Sequence, residues 1–204
     1  MTMGAFALGA LGWSVSEYAL HRWVGHDPKS QSAFAKEHRA HHAQRFYFAP
    51  TWKKTAYVAP IVGAAAVAAR ATLGAAGLRF VLGYAATYVG YEVLHRRLHT
   101  HAPKGPVGRF LRRHHFAHHF NGPQTNHGVT TPVWDVVFGT LRDPGVIRVP
   151  EKHAMTWLVD PDTGDARAEF ADDYVIHHPK RERTPAEHGD MRMPDTHFRP
   201  NTAH

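Results

Sequence analysis

Three apolar stretches alternate with polar, basic ones along this chain. Met3–Leu20 (MGAFALGALGWSVSEYAL) is the first, Thr55–Thr72 (TAYVAPIVGAAAVAARAT) the second and Leu78–Leu94 (LRFVLGYAATYVGYEVL) the third. At about 1.5 Å per helical residue, roughly 18 residues reach about 27 Å, close to the ~30 Å of bilayer hydrocarbon. The pattern predicts three membrane-spanning helices. The first does not read as a signal peptide, because no basic segment precedes it and no small-x-small cleavage site closes it. Ala and Gly dominate the second, which predicts close helix packing; a buried helix of a soluble protein would look similar. Leu73–Gly77 reads as a turn. Phe46–Trp52 (FYFAPTW) has the aromatic content of a membrane interface, with Pro50 breaking any helix.

The intervening segments set the topology. Arg22, Lys29, Lys36, Arg39, Arg45, Lys53 and Lys54 separate the first apolar stretch from the second. Arg96, Arg97, Lys104, Arg109, Arg112 and Arg113 follow the third, whereas the hairpin between the second and third holds only Arg70 and Arg79. By the positive-inside rule both basic regions face the cytoplasm. The same side follows from counting crossings, since two spans separate His42 from His95. The formal charge of +7 therefore reads as membrane topology, not as a nucleic-acid footprint. A mean hydropathy of -0.40 looks soluble, but histidines and a polar tail pull it down.

The expected fold class is all-α: integral membrane helices with a cytosolic helical cap. A polar helix is predicted between Asp27 and Gln44. Gly25 ends the helix before it and lets His26 fold back. Asn121–Val129 is rich in turn residues, and Thr130–Leu141 (TTPVWDVVFGTL) is amphipathic, an interfacial helix or a lid. Residues 1–150 form the expected membrane-embedded domain. Residues 151–178 keep Trp157, Leu158, Phe170, Tyr174 and Ile176, enough to dock on it, and 179–204 reads as a polar, flexible tail.

Histidine supplies the chemistry. The 204 residues include 19 histidines and no cysteine, which removes thiolate metal sites, iron–sulfur clusters, disulfides and a thiol nucleophile. No G-x-S-x-G elbow is present, which argues against a serine hydrolase. An H-x-x-H-H box stands at His115, His118 and His119, and an earlier copy at His38, His41 and His42. On a helix, positions three and four apart share a face, so each box aims three imidazoles at one small volume. His95 and His99 add an i,i+4 pair, and His21 and His26 precede the first box. Structural zinc closes with four ligands, usually including thiolates, so these ten rings exceed one ion. Two ions with about five rings each would keep an open position apiece, which suits redox iron that binds dioxygen. Without metal, burying so many rings is costly, because each carries two polar nitrogens.

Other residues carry weaker signals. One H-x-x-x-H alone is as well an interfacial or core pair. Glu17 and Asp135 are the carboxylates placed to hold a ligand imidazole by its other ring nitrogen, and His127 is a candidate to support the site from behind. Ordinary interfacial carboxylates would look the same. Arg96, Arg97 and Arg112 are candidates to receive an anionic lipid head; topology charges are the plainer account.

The ordered boxes H-x4-H, H-x2-H-H, H-x3-H and H-x2-H-H resemble the fatty acid hydroxylase / sterol desaturase superfamily of integral-membrane di-metal oxygenases. Glu17-Tyr18-x-x-His21-Arg22 and the later HGVTTPVWDVVFGT (His127 to Thr140) are similar to the fatty acid 2-hydroxylase branch. The resemblance covers residues 13–141. It implies a mostly helical fold, two iron ions on the matched histidines (zinc being able to replace them), and O2-dependent hydroxylation of a lipid acyl chain. Members often carry four spans and sometimes a fused haem module. Three apolar stretches and no haem or flavin module here imply a separate electron-donor protein. The implied partners are a lipid substrate, the membrane and that donor, not nucleic acid. The implied location is the bacterial inner membrane or the endoplasmic reticulum. A carotenoid-ring hydroxylase or sterol-type desaturase carries similar boxes. A membrane metal-binding or transport protein would exchange metal without consuming O2.

Overall fold

The computed structural model describes residues 2–44 and 46–179; the tail expected over 179–204 lies, from Lys180 onward, outside the described residues. Helix α1 (Thr2–Ala19) runs directly into one π-helical turn, Leu20–Gly25. Helix α2 (Ala33–Ala43) starts at Ser32, whose hydroxyl accepts the Ala35 amide hydrogen at 3.1 Å. Helix α3 (Thr51–Thr100) is a hairpin. Its helical geometry breaks at Gly74 (φ 63°, ψ -146°), a conformation open to glycine alone. Lys54 on the first arm consequently pairs with Glu92 on the second. Helix α4 (Gly105–Phe120) has Pro106 in its first turn, where a missing N–H costs nothing. Helix α5 is short, Val133–Val137.

The second and third apolar stretches are thus the two arms of α3, and the first is α1. Among the described residues α3 is the one helix long and apolar enough to cross a membrane, and 6% of its most apolar window is buried within the protein. The close packing expected of the Ala-rich stretch occurs at its end, where a Cβ on Gly77 would lie 2.3 Å from the Ala69 carbonyl oxygen, and also between α1 and α3. A Cβ on Gly83 would lie 2.1 Å from the Phe6 carbonyl oxygen, and one on Gly9 only 2.0 Å from that of Phe80. These glycines let α1 and the second arm of α3 touch backbone to backbone. Ala64, Ala65 and Val67 of the first arm are exposed instead, because its outer side meets no other element among the described residues.

One departure from an all-α fold follows α5. Strand β1 (Ile147–Pro150) pairs in parallel with β2 (Tyr174–His177), Ile147 opposite Tyr174. Alternation decides it: Ile147, Val149, Tyr174 and Ile176 point inward, Arg148 and Val175 outward. The connecting stretch 151–173 is long enough for the crossover a parallel pair needs. With Met155, Trp157 and Leu158 the strands form a core against Phe116 and Ala117 of α4. Asp173 locks the contact, pairing with Arg109 at 2.5 Å and Arg113 at 3.2 Å. The back of the helix carrying the second H-x-x-H-H box is braced.

Gly83→Ala should therefore lower stability by about 1–3 kcal/mol through overpacking. Gly63→Ala, which meets nothing within 4 Å, should be neutral or raise it by up to about 1 kcal/mol. Thermal unfolding of the two variants in detergent checks the contrast.

Candidate metal centre

The ten box histidines converge, in two sets. His21, His26, His38, His42 and His118 form a first group, and His41, His95, His99, His115 and His119 a second. Within each group the five ligand-type nitrogens lie within 4.8 Å of one another. An ion bonded to imidazoles at about 2.0–2.1 Å spans donors up to ~4.2 Å apart, so each group is near the size of one coordination sphere. The groups adjoin, with the His42 and His119 rings stacked at 4.0 Å.

Each H-x-x-H-H box is divided between the groups, not aimed at one volume as expected. His38 and His42 go to the first group while His41 goes to the second; His115 and His119 go to the second while His118 goes to the first. Helix geometry explains this. At 3.6 residues per turn, adjacent residues point about 100° apart, so only the i and i+4 rings share a line. The third ring of each box faces across to the neighbouring group. The helix ends at Gly25 as expected, but its last turn is π-helical and not α-helical. The π turn, with its i→i+5 bonding, brings residues five apart together. Gly25 matters for another reason: a Cβ there would lie 2.8 Å from the His38 ring.

Backbone carbonyls aim several rings. Thr125 O accepts from His118 Nδ1 at 2.8 Å, Tyr47 O from His41 Nδ1 at 2.8 Å, and His127 O from His21 Nδ1. A proton held on Nδ1 leaves the Nε2 lone pair facing inward. The Nε2 atoms of His21, His41, His42, His95 and His119 are buried with no hydrogen-bond partner. Orphaned acceptors converging in this way are the donor set a metal ion needs, and the residues present fit such an ion.

The sequence model of the fatty acid hydroxylase family matches residues 6–140. The chain belongs to that family. Among curated relatives of this fatty acid hydroxylase-family chain, the dihydroceramide fatty acyl 2-hydroxylase FAH2 of Arabidopsis thaliana is 32% identical over 72% of this chain and 63% of its own. The fatty acid 2-hydroxylase of Rattus norvegicus is 33% identical over 68% of this chain and 40% of its own. The chain thus spans about two fifths to three fifths of these relatives' length. A solved structure, full-length scs7p with only the hydroxylase domain visible, is 32% identical with a TM-score of 0.56, covering 69% of this chain and 56% of that one.

Around the candidate metal centre, the neighbouring residues make contacts other than those expected. Neither Glu17 nor Asp135 bonds to any of the ten rings. Glu17 instead accepts the amides of Val129 and Thr130, and Asp135 those of His127 and Gly128. Asp135 also meets the ring of His114 at 3.1 Å. His127 is buried behind the first group, its ring 5.2 Å from that of His118. Arg112 is no headgroup cation: it donates to the carbonyls of His101, Gly108 and Arg97 at 2.8, 3.0 and 3.1 Å, fastening the end of α3 to α4. Arg96 stacks on Phe48 at 4.6 Å, and Arg97 is exposed.

An apolar cleft of about 460 Å³ runs between α1, α2 and the two arms of α3. Trp13, Tyr57, Val58, Ile61 and Tyr84 line it, and His21 and His38 of the first group and His41 and His95 of the second also face it. Its cations are Lys53, paired with Glu37, and Lys54, paired with Glu92, not the three arginines. In the sequence these lysines read only as topology charges. The carbonyls of Tyr47, Thr125 and His127 left no sequence signal at all, since every residue has one.

Burial is the first reason the rings resist protonation. It pushes His21 down to about 3, His26 and His41 to about 4 and His42 to about 2, neighbouring imidazoles adding to the effect at His21, His26 and His42. An unfolded imidazole takes a proton below about 6.5. Between that pH and the lower folded values the unfolded chain binds more protons, so stability falls as pH falls. The metal-free protein should hold a constant thermal midpoint from about pH 8 to pH 7 and lose it progressively from about pH 6.5 toward pH 4. Thermal scans across that range, with and without saturating Zn2+, check the sign.

Proposed function

We propose that this chain hydroxylates a C–H bond in the acyl chain of a membrane lipid, using two metal ions, O2 and electrons from a separate donor protein. One observation carries the reading: rings of both histidine groups line the apolar cleft. Family membership supports it, and several similar proteins are named fatty acid 2-hydroxylases. In this reading the ten histidines are the ligands, five to an ion. Iron suits an imidazole site that must also take O2, although zinc can occupy it. Bound there, the metal supplies the O2 activation and C–H oxidation that no side chain offers. One oxygen atom enters the C–H bond, and the other leaves as water with two electrons and two protons.

The protein's own contribution is placement. Trp13, Tyr57, Val58 and Ile61 hold an extended alkyl chain and exclude water from the histidine groups. The Lys53–Glu37 and Lys54–Glu92 ion pairs line that cleft and meet the polar end of the lipid. Lipid surrounds the exposed faces of α1 and α3, and the basic segments keep the metal centre on the cytoplasmic side. Residues 1–150 act as the membrane-embedded catalytic unit, and 151–178 as a brace docked on α4.

Metal analysis of the purified protein, joined to mass spectrometry of lipids from expressing cells, tests the proposal. The expected result is two ions per chain and a hydroxylated acyl species. His118→Ala should lose the product and lower metal content. Ala85→Trp, filling the cleft, should keep both ions and cut product at least tenfold. Metal exchange with neither O2 consumption nor hydroxylated lipid would instead mark a carrier. Ring-hydroxylated carotenoid or desaturated sterol as the only product would move the chain to another branch.

A further inference from the structure

The two histidine groups are not anchored alike. In the first group, His118 leans on Thr125 O and His21 on His127 O, both in the loop between α4 and α5. In the second, His41 leans on Tyr47 O, on the other side of the centre in sequence. We propose that Glu17 and Asp135 are positioning residues that clamp this loop from opposite sides, so that the first group holds its ion only while the clamp is closed. The inference rests on the reading above that each group binds an ion.

The clamp is built from four consecutive amides. Asp135 on α5 accepts the N–H of His127 at 2.7 Å and of Gly128 at 2.8 Å. Glu17 on α1 accepts those of Val129 at 2.6 Å and Thr130 at 3.0 Å, together with the Thr130 hydroxyl. Both carboxylates are buried, at 4% and 0% exposure. Each is therefore an acceptor in a dry site, where leaving such a bond unmade is costly. Asp135 is itself held by the Thr140 hydroxyl at 2.7 Å and the His114 ring at 3.1 Å. No space is left for slack: a Cβ on Gly128 would lie 2.1 Å from Thr131 O and 2.9 Å from Asp135 Oδ2. Asn126, at φ 56°, turns the chain between the two carbonyls that face the rings. With 127–130 fixed, the His127 carbonyl has one direction left, toward His21.

A carboxylate that merely stiffened the fold would weaken both groups together. A positioning role is selective, and metal counting separates the two. The probe is Zn2+ on the purified full chain, with ions per chain read by elemental mass spectrometry during chelator titration. Asp135→Asn keeps the shape but turns an amide donor toward the N–H donors of the loop. It should weaken one ion about 10–100-fold and leave the other as in the wild type. Glu17→Ala should do the same. Glu17→Gln should stay near wild type, because one carbonyl oxygen can still accept both amides and the Thr130 hydroxyl can turn. In the wild-type chain, hydrogen exchange should show the amides of His127 to Thr130 losing protection with release of the first ion, before the second leaves. Parallel loss of both ions from Asp135→Asn, or undiminished retention of both, would overturn the inference alone. If that variant fails to fold, wild-type amides that stay protected until the second ion leaves would overturn it. A wild-type chain that takes up no Zn2+ would overturn the proposed function, and this inference with it.

Discussion

Imidazole nitrogens cannot be buried unpartnered without cost, and this fold buries many of them around one point. Five Nε2 atoms, those of His21, His41, His42, His95 and His119, meet no hydrogen-bond partner. An unsatisfied polar group in a dry site costs on the order of 1–3 kcal/mol, so the set is a standing penalty in the apo chain. An ion in each group removes it. The surrounding elements serve to make that arrangement the favoured one. α2 and α4 each serve both groups, the π turn adds His21 and His26, and the end of α3 adds His95 and His99. The 147–177 unit packs on the far face of α4 and keeps it from yielding.

Substrate access follows from the same geometry. Because α1 meets the second arm of α3 through Gly9 and Gly83, the helices approach closely there. The cleft lies alongside, its walls the two arms of α3 together with α1 and α2. Imidazoles of both groups form part of its lining. In the proposed reading, an alkyl chain in the cleft presents its C–H bonds to the metals while its polar end stays with the lysine–glutamate pairs.

Much of this was legible in the sequence. Apolar stretches separated by a turn at 73–77 gave the helical hairpin, and box spacing picked out all ten converging histidines. The division of each box was not seen, although the angle between i+3 and i+4 on a helix contains it. Spacing alone could not reveal the π turn, because only the fold decides whether His21 and His26 share a face. A cation near a membrane and a cation capping a helix end look alike in one dimension, so sequence does not reveal that Arg112 donates to the carbonyls of His101 and Arg97. Glu17 and Asp135 were singled out for the right neighbourhood but the wrong contact: they hold amides, and those amides set a carbonyl. The short parallel strand pair leaves little trace in the sequence, because four-residue strands carry too little alternation to stand out.

X-ray absorption on the metal-loaded full chain addresses the central claim most directly. The account expects two ions per chain, each with an imidazole-dominated shell of about five nitrogens at ~2.0–2.1 Å. A single ion per chain, or a shell made chiefly of oxygen, would contradict it.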